Sequence, residues 1–299
     1  MEAQNVGFDR TIKKLCKQVA YGVGIRPVNS AAAFHIKYPS AFCWYADPFV
    51  CGDGNREYVF VELMHTYRRY GQIAVAPVSD GKIGKFQIVI SEPFHMSFPN
   101  VFRWEKRWYM IPETYQSRQV RLYVADVFPY KWHLDRVLLQ GVNLVDHALY
   151  PAESGMYMVS YDQSDRENSF NRTFYIDMHD QTCEEFFPEG DWCKERPGGT
   201  FYQKHGAWRH VIQDCEREYG EYLHVFQVNE FSREKFSEKE ISQIHIDDKR
   251  LCLNDKRLQY IHTYNCDDKY EVIDVRYDKI YPDKFFFHQW QEILKRIKR

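Results

Sequence analysis

From Tyr45 onward the chain repeats one pattern: a short apolar run, a polar turn, and a second apolar run ending in or beside an acid. The first copy, residues 45–62, reads YADPFVCGDGNREYVFVE. The second, 98–113, reads FPNVFRWEKRWYMIPE, and the third, 146–161, reads DHALYPAESGMYMVSY. The fourth, 197–214, reads PGGTFYQKHGAWRHVIQD, and a fainter fifth, 262–274, reads HTYNCDDKYEVID. Aromatic and β-branched runs on either side of Asp53-Gly54, Glu153-Ser154-Gly155 and Lys204-His205-Gly206 are hairpin signals. Copies recur at intervals of about fifty residues, the size of a four-stranded propeller blade.

The pattern predicts an all-β chain, a five-bladed β-propeller over 1–282 with blades starting near 43, 97, 145, 197 and 260. A β-sandwich is the alternative, but it gives no reason for acids to recur in phase. Helical periodicity is confined to a short stretch at 10–19 and to the terminus 283–299, DKFFFHQWQEILKRIKR. There Phe286, Trp290, Ile293, Leu294 and Ile297 share one face and the basic residues crowd the end. This is a short C-terminal amphipathic helix, able either to lie on an anionic membrane or to pack on the propeller.

In a propeller the first strand of each blade runs beside the central channel, so residues far apart in sequence converge. Asp47, Asn100, Asp146 and Gly199 would surround one funnel, with Glu62, Glu113 and Asp214 forming the next ring. Taken singly, each acid is as well explained by a turn cap or an arginine partner. Repetition in phase is what points to a site. Trp44 and Tyr45, beside Asp47, would form a stacking platform for a sugar ring. Gln213 and Tyr219 would line the funnel through blade four, and His262 would open blade five. Arg196, Arg118 or Arg121 could hold a phosphate or carboxylate by bidentate hydrogen bonds.

Composition narrows the function. A formal net charge of −2 argues against a general nucleic-acid binder. Aromatics at 17% suit both strand packing and sugar-binding clefts, so they do not decide between them. The eight cysteines include no C-x-x-C pair and no zinc-like histidine spacing, which suits reduced thiols in a cytoplasm. No apolar run approaches the roughly twenty residues of a membrane span, and no secretory h-region opens the chain. The expected location is cytoplasmic, with contact to the inner face of the membrane through 283–299. Neither a D-x-D pair nor a Gly-rich phosphate loop is present, so no metal and no cofactor is expected.

The runs ADPFV, YVFVE, FPNVF, WYMIPE, VRLYVADVFPYKW, RPGGTFY, QDCEREYG, HTYN and YEVID resemble the propeller domain at the N-terminus of plant glucosamine inositolphosphorylceramide transferases, and bacterial stand-alone domains similar to it. The resemblance runs from about Trp44 to Asp274 and extends to the five-bladed superfamily of arabinanases, xylosidases, invertases and levansucrases. For the hydrolases it implies a base or nucleophile at Asp47 and a general acid on blade three, for which Asp146, flanked by His147, stands nearest. It also implies a second acid at the start of blade two, where this chain has Asn100. Glu113 and Glu62 could compensate.

These readings predict a carbohydrate-active enzyme with Asp47, Glu113 and Asp146 as catalytic residues. Trp44, Tyr45, Glu62, Asn100, His147, Arg196, Gln213, Asp214, Tyr219 and His262 would bind substrate. The first expectation is a metal-independent glycosyltransferase of surface polysaccharide or glycolipid synthesis, joining an activated sugar donor to a lipid-linked or oligosaccharide acceptor. The alternatives are a cytoplasmic glycoside hydrolase and a non-catalytic carbohydrate-binding propeller.

Overall fold

The computed structural model describes residues 17–40, 42–66, 70–165, 167–180 and 182–280. Their strands form five antiparallel sheets arranged as a five-bladed β-propeller. The expected helix at 283–299 lies outside the described residues. Strands β1 (Lys17–Pro27) and β2 (His35–Lys37) come first in the chain but belong to the last blade. Blade one is β3 (Cys43–Gly52), β4 (Glu57–His65) and β5 (Gly71–Ser79), with β6 (Lys82–Ile83) and β7 (Gln87–Ile90) both on β5. Blade two is β8 (Ser97–Trp104), β9 (Arg107–Glu113), β10 (Gln119–Val127) and β11 (Lys131–Gln140). Blade three is β12 (Leu144–Ala152), β13 (Gly155–Asp162), β14 (Phe170–Asp177) and β15 (Thr182–Phe186). Blade four is β16 (Tyr202–Lys204), β17 (Ala207–Gln213), β18 (Leu223–Phe231) and β19 (Phe236–Ile244). Blade five sets β20 (Leu258–Tyr260) and β21 (Tyr264–Cys266) against β22 (Tyr270–Ile280), which pairs in turn with β1 and then β2.

The ring is closed by β1 on β22, in register from Lys17↔Ile280 to Pro27↔Tyr270. The helix expected at 10–19 is corrected here: residues 17–19 are strand, and 10–16 lie outside the described residues. Val19, Tyr21, Val23 and Ile25 alternate at period two, and Gly22 and Gly24 disfavour a helix. Each blade is buried on both faces, because one apolar cluster fills each gap between neighbours. Phe49, Phe60 and Phe98 join blades one and two; Ile111, Leu122 and Met158 join two and three. Ala148, Phe201 and Phe236 join three and four; Tyr202, Leu223 and Ile273 join four and five; Val23, Val59 and Val61 complete the circle. Burying one such side chain contributes about 1.5–3 kcal/mol. Among the described residues no helix is long and apolar enough to cross a membrane, and the cysteines are unpaired.

Blades one to three share a local irregularity on the inner strand. Pairing jumps from Ala46↔Glu62 to Phe49↔Phe60, from Ser97↔Glu113 to Asn100↔Ile111, and from Val145↔Tyr161 to Ala148↔Val159. The first residue of each bulge is left-handed, with φ of 49° at Asp47, 45° at Phe98 and 50° at Asp146. A bulge re-aims the side chain it carries. Asp47 and Asp146 therefore hold equivalent places, and Phe98, not Asn100, holds that place in blade two.

Candidate functional site

All five blades contribute to one cavity of about 270 Å³, which places it on the propeller axis. Blade one supplies Trp44, Asp47 and Glu62, blade two Ser97 and Glu113, and blade three Asp146. Arg196 and Tyr219 flank blade four, and Tyr21 and His262 come from blade five.

Asp47 is buried and surrounded by donors. Its Oδ1 accepts the Thr263 hydroxyl at 3.0 Å, and its Oδ2 accepts the Phe98 N–H at 3.1 Å. His262 bridges two acids, with Nε2 3.2 Å from Asp47 Oδ1 and Nδ1 2.8 Å from Asp274 Oδ2. Asp274 Oδ1 also caps the N–H groups of His262 and Thr263 at 3.1 and 3.0 Å. Burial opposes charge on the imidazole, but Asp274 and Asp47 outweigh it and hold the pKa well above the ordinary value. With a carboxylate near each nitrogen, His262 is biased toward the charged imidazolium, although Nδ1 has no aligned hydrogen-bond partner.

A second cluster faces the first. Arg196 Nε donates to Asp146 Oδ2, which also accepts Gln213 Nε2 at 3.0 Å. The guanidinium lies 5.1 Å from the centre of the Tyr219 ring. Its Nη2 is 3.8 Å from Glu113 Oε2, too far for a hydrogen bond. Burial, then the charge of Asp146, pushes the Glu113 carboxyl well above the usual range, with Arg196 pulling the other way. Glu62 is raised likewise by burial, then by Asp47 and Glu113. Glu62 Oε1 and Glu113 Oε2 are buried with no hydrogen-bond partner. His95 Nδ1 accepts the Gly71 N–H at 2.9 Å, which leaves Nε2 as the protonated nitrogen, 3.6 Å from Glu62 Oε1.

Among the described residues the cavity is thus sorted by charge. Two acids favour the neutral form, and two cations each hold an aspartate. Trp44, Tyr21, Tyr115 and Tyr219 give it aromatic walls, with Tyr21 and Trp44 ring centres 5.4 Å apart. Asp47, His262 and Asp274 offer ligand atoms within 4.8 Å of one another, a set able to hold a cation in place of the imidazolium proton.

Several residues expected in the funnel stand elsewhere. Tyr45 faces the opposite side of β3 from Trp44 and packs on Phe86 at 4.5 Å, because successive strand residues alternate faces. Asn100 is buried outside the lining, where Nδ2 donates to the His147 carbonyl at 2.7 Å and to Thr200 Oγ1 at 2.9 Å. His147 is fully buried against Ser160 at 2.8 Å, and burial pushes its pKa down to about 4. Gln213 acts through Asp146, while Asp214 lies one residue beyond and meets His224 at 3.3 Å. Gly199 permits a close approach between blades, since a Cβ there would lie 2.1 Å from the Tyr264 carbonyl. Arg118 donates to the Gly141 carbonyl at 2.9 Å, and Arg121 reaches Glu92 at 3.6 Å, both outside the lining. Tyr21, His95 and Asp274 were not anticipated as site residues. Only Asp274 carried a signal, as the acid that ends the fifth repeat.

The family described as glucosamine inositolphosphorylceramide transferase 1, N-terminal, matches residues 14–269. The chain is 28% identical to glucosamine inositolphosphorylceramide transferase 1 of Oryza sativa subsp. indica over 217 residues, 67% of this chain and 28% of that protein. Against the Arabidopsis thaliana protein of the same name it is 28% identical over 235 residues, 72% of this chain and 29% of that one. It therefore spans under a third of these relatives. Among solved structures, the β-xylosidase RS223 matches with a TM-score of 0.55 at 9% identity, over 86% of this chain and 96% of that one. The GH43 endo-arabinanase from Bacillus licheniformis matches with a TM-score of 0.50 at 11% identity, over 81% and 95%. These two likenesses are of fold.

Proposed function

This chain belongs to the family of the N-terminal domain of glucosamine inositolphosphorylceramide transferase 1, and from that premise we propose that its axial cavity carries out glycosyl transfer to a hydroxyl acceptor. The observation that carries the reading is the coexistence, in one cavity, of a carboxylic acid raised well above its usual pKa, Glu113, and a carboxylate surrounded by donors, Asp47. Making a glycosidic bond needs both. Glu113 gives its proton to the oxygen leaving the anomeric carbon, which departs with the bonding electron pair. Asp47 takes the proton of the acceptor hydroxyl as its oxygen bonds to that carbon. Asp146 sustains the proton on Glu113 and fixes Arg196. Arg196 and the His262 imidazolium offset negative charge on a phosphate leaving group. The chemistry asked of these side chains is metal-independent.

The aromatic walls suit a sugar ring, since rings stack on the apolar faces of sugars while the acids meet hydroxyls. The curated relatives bear the name of a transferase onto inositolphosphorylceramide. For this chain an activated sugar donor and a lipid-linked or oligosaccharide acceptor are part of the proposal. A lipid-linked acceptor would be met at a membrane surface, with 283–299 as the contacting segment.

Purified protein incubated with a panel of nucleotide sugars and lipid-linked or oligosaccharide acceptors should give transfer product by mass spectrometry, lost in Glu113→Gln and Asp47→Asn. Absence of transfer by folded protein across a broad donor panel overturns the reading. Release of reducing sugar, with water as acceptor, would identify a hydrolase. Saturable glycan binding that survives both substitutions without turnover would identify a binding module.

A further inference from the structure

A second set of hollows lies at the other end of blades four and five, where the β16–β17 and β21–β22 turns emerge. Along β1, Tyr21 lines the axial cavity and Arg26 lines these hollows, a separation of about 17 Å at the rise of an extended strand. Two adjoining spaces, about 150 and 530 Å³, share Arg26, Lys204, Arg250 and Glu271 as walls. Arg209 lines the first and Lys249 the second. The combined walls carry five cations against two carboxylates, Asp248 and Glu271, on a chain of formal net charge −2.

Two of the cations are committed. Arg26 Nε donates to Glu271 Oε1 at 2.5 Å, and its Nη1 donates to the Arg250 carbonyl at 2.6 Å. The Tyr264 hydroxyl holds the other Glu271 oxygen at 2.6 Å, so this pair is structural. Arg250 Nε donates to Asp248 Oδ2 at 2.8 Å. Lys204, Arg209 and Lys249 have no carboxylate partner among the described residues, and Arg209 Nε is buried without any hydrogen-bond partner. A buried guanidinium N–H left unpaired costs stability unless something occupies the space beside it.

We propose that this cleft binds a phosphate-bearing anion, independently of the axial chemistry. Lys204 on β16 lines both hollows, with Arg209 of β17 beside it in the first and Lys249 of the 249–251 turn beside it in the second. A single carboxylate leaves them undercompensated. A phosphate, with up to two charges and oxygens on several sides, meets the Arg209 fork and the Lys204 ammonium in the first hollow, or Lys204 and Lys249 in the second. The source is either a soluble phosphate ester or the headgroup of a phospholipid.

The test is isothermal titration of the full chain with inorganic phosphate and with pyrophosphate, beside sedimentation with phosphatidylinositol-containing and phosphatidylcholine-only vesicles. Saturable binding of either soluble anion, or selective capture by the phosphatidylinositol vesicles, supports the site and separates its two sources. Lys204→Gln with Lys249→Gln should weaken that binding at least tenfold, while Arg196→Gln in the axial cavity leaves it intact. Both lysines are at a turn or rim; if the pair nevertheless fails to fold, Arg209→Lys, which keeps the charge but not the fork, should weaken binding several-fold. No binding of any probe overturns the proposal, as does binding lost in Arg196→Gln but kept in the lysine variants.

Discussion

The carboxylate of Asp47 accepts the backbone N–H of Phe98 at 3.1 Å, and the two residues hold the same left-handed bulge position in successive blades. The first blade's acid is thus fixed by the backbone of the second, while the second blade gives its own bulge position to a ring fully buried between Phe49 and its neighbours. Phe98→Ala removes that ring and should lower stability by about 3–5 kcal/mol. Asp47→Asn keeps an acceptor for the Phe98 N–H and should cost far less. Urea denaturation of both variants checks the contrast. Equal losses would show that the ring is not what anchors this blade interface.

Glu113→Gln should abolish proton donation while preserving shape, so transfer should fall by about 10²–10⁴-fold with the fold intact. The pH profile gives a sharper reading. Activity should decline as pH rises through the elevated Glu113 pKa, because the acid is then ionised. Arg196 lowers that pKa, so Arg196→Met should move the decline to higher pH. A decline that stays in place, measured as kcat against pH, would exclude Glu113 as the group being titrated.

Much of this arrangement is written in the chain. The phase of the repeat carries the blade order, and the acids ending each second strand lead to Glu62 and Glu113. What it hides is the bulge. Two residues of the inner strand face one on its partner, so the place equivalent to Asp47 falls on Phe98, whereas the repeat and the resemblance point to Asn100. Tyr45 lies two residues before Asp47, but the alternation that turns Trp44 and Ala46 to the cavity turns Tyr45 away, and it is the bulge that brings Asp47 back. His95 comes from the connection between blades, and no periodicity governs such a position. Tyr21 reaches the cavity only because the first strand closes the last blade, a pairing across 11 residue positions that no local pattern encodes.

Stability should fall as pH rises from the mildly acidic side. Glu62 and Glu113 have folded pKa values raised above the ordinary 4.5, so the native state holds more protons than the unfolded chain above that pH. His262 is raised above 6.5 and acts in the same direction over a higher window. Each group reduces stability by about 1.4 kcal/mol per pH unit between its unfolded and folded pKa values, and no further above the folded one. Below pH 6.5 the lowered pKa values of His147 and His95 act in the opposite direction, so the drop in denaturant midpoint should be clear from pH 6.5 to 9 in the wild type. Glu62→Gln should flatten the early part of the curve and His262→Gln the later part. A midpoint that rises over this range contradicts the assignment.

Gly220 shows how the loop of blade four sets the state of a histidine in blade five. Its φ is +61°, and a Cβ at this position would lie 2.2 Å from Cβ of His262. Gly220→Ala therefore combines a left-handed alanine, costing about 1 kcal/mol, with a contact that only movement of the loop or the imidazole can relieve. No polar group is removed. If His262 owes its charge to lying between Asp47 and Asp274, displacing it should bring its pKa back toward 6.5 and reduce transfer together. NMR titration of the imidazole in the wild type and in Gly220→Ala separates this from simple destabilisation. A folded variant with lowered thermal stability but an unchanged His262 titration would show that the two carboxylates do not govern its proton.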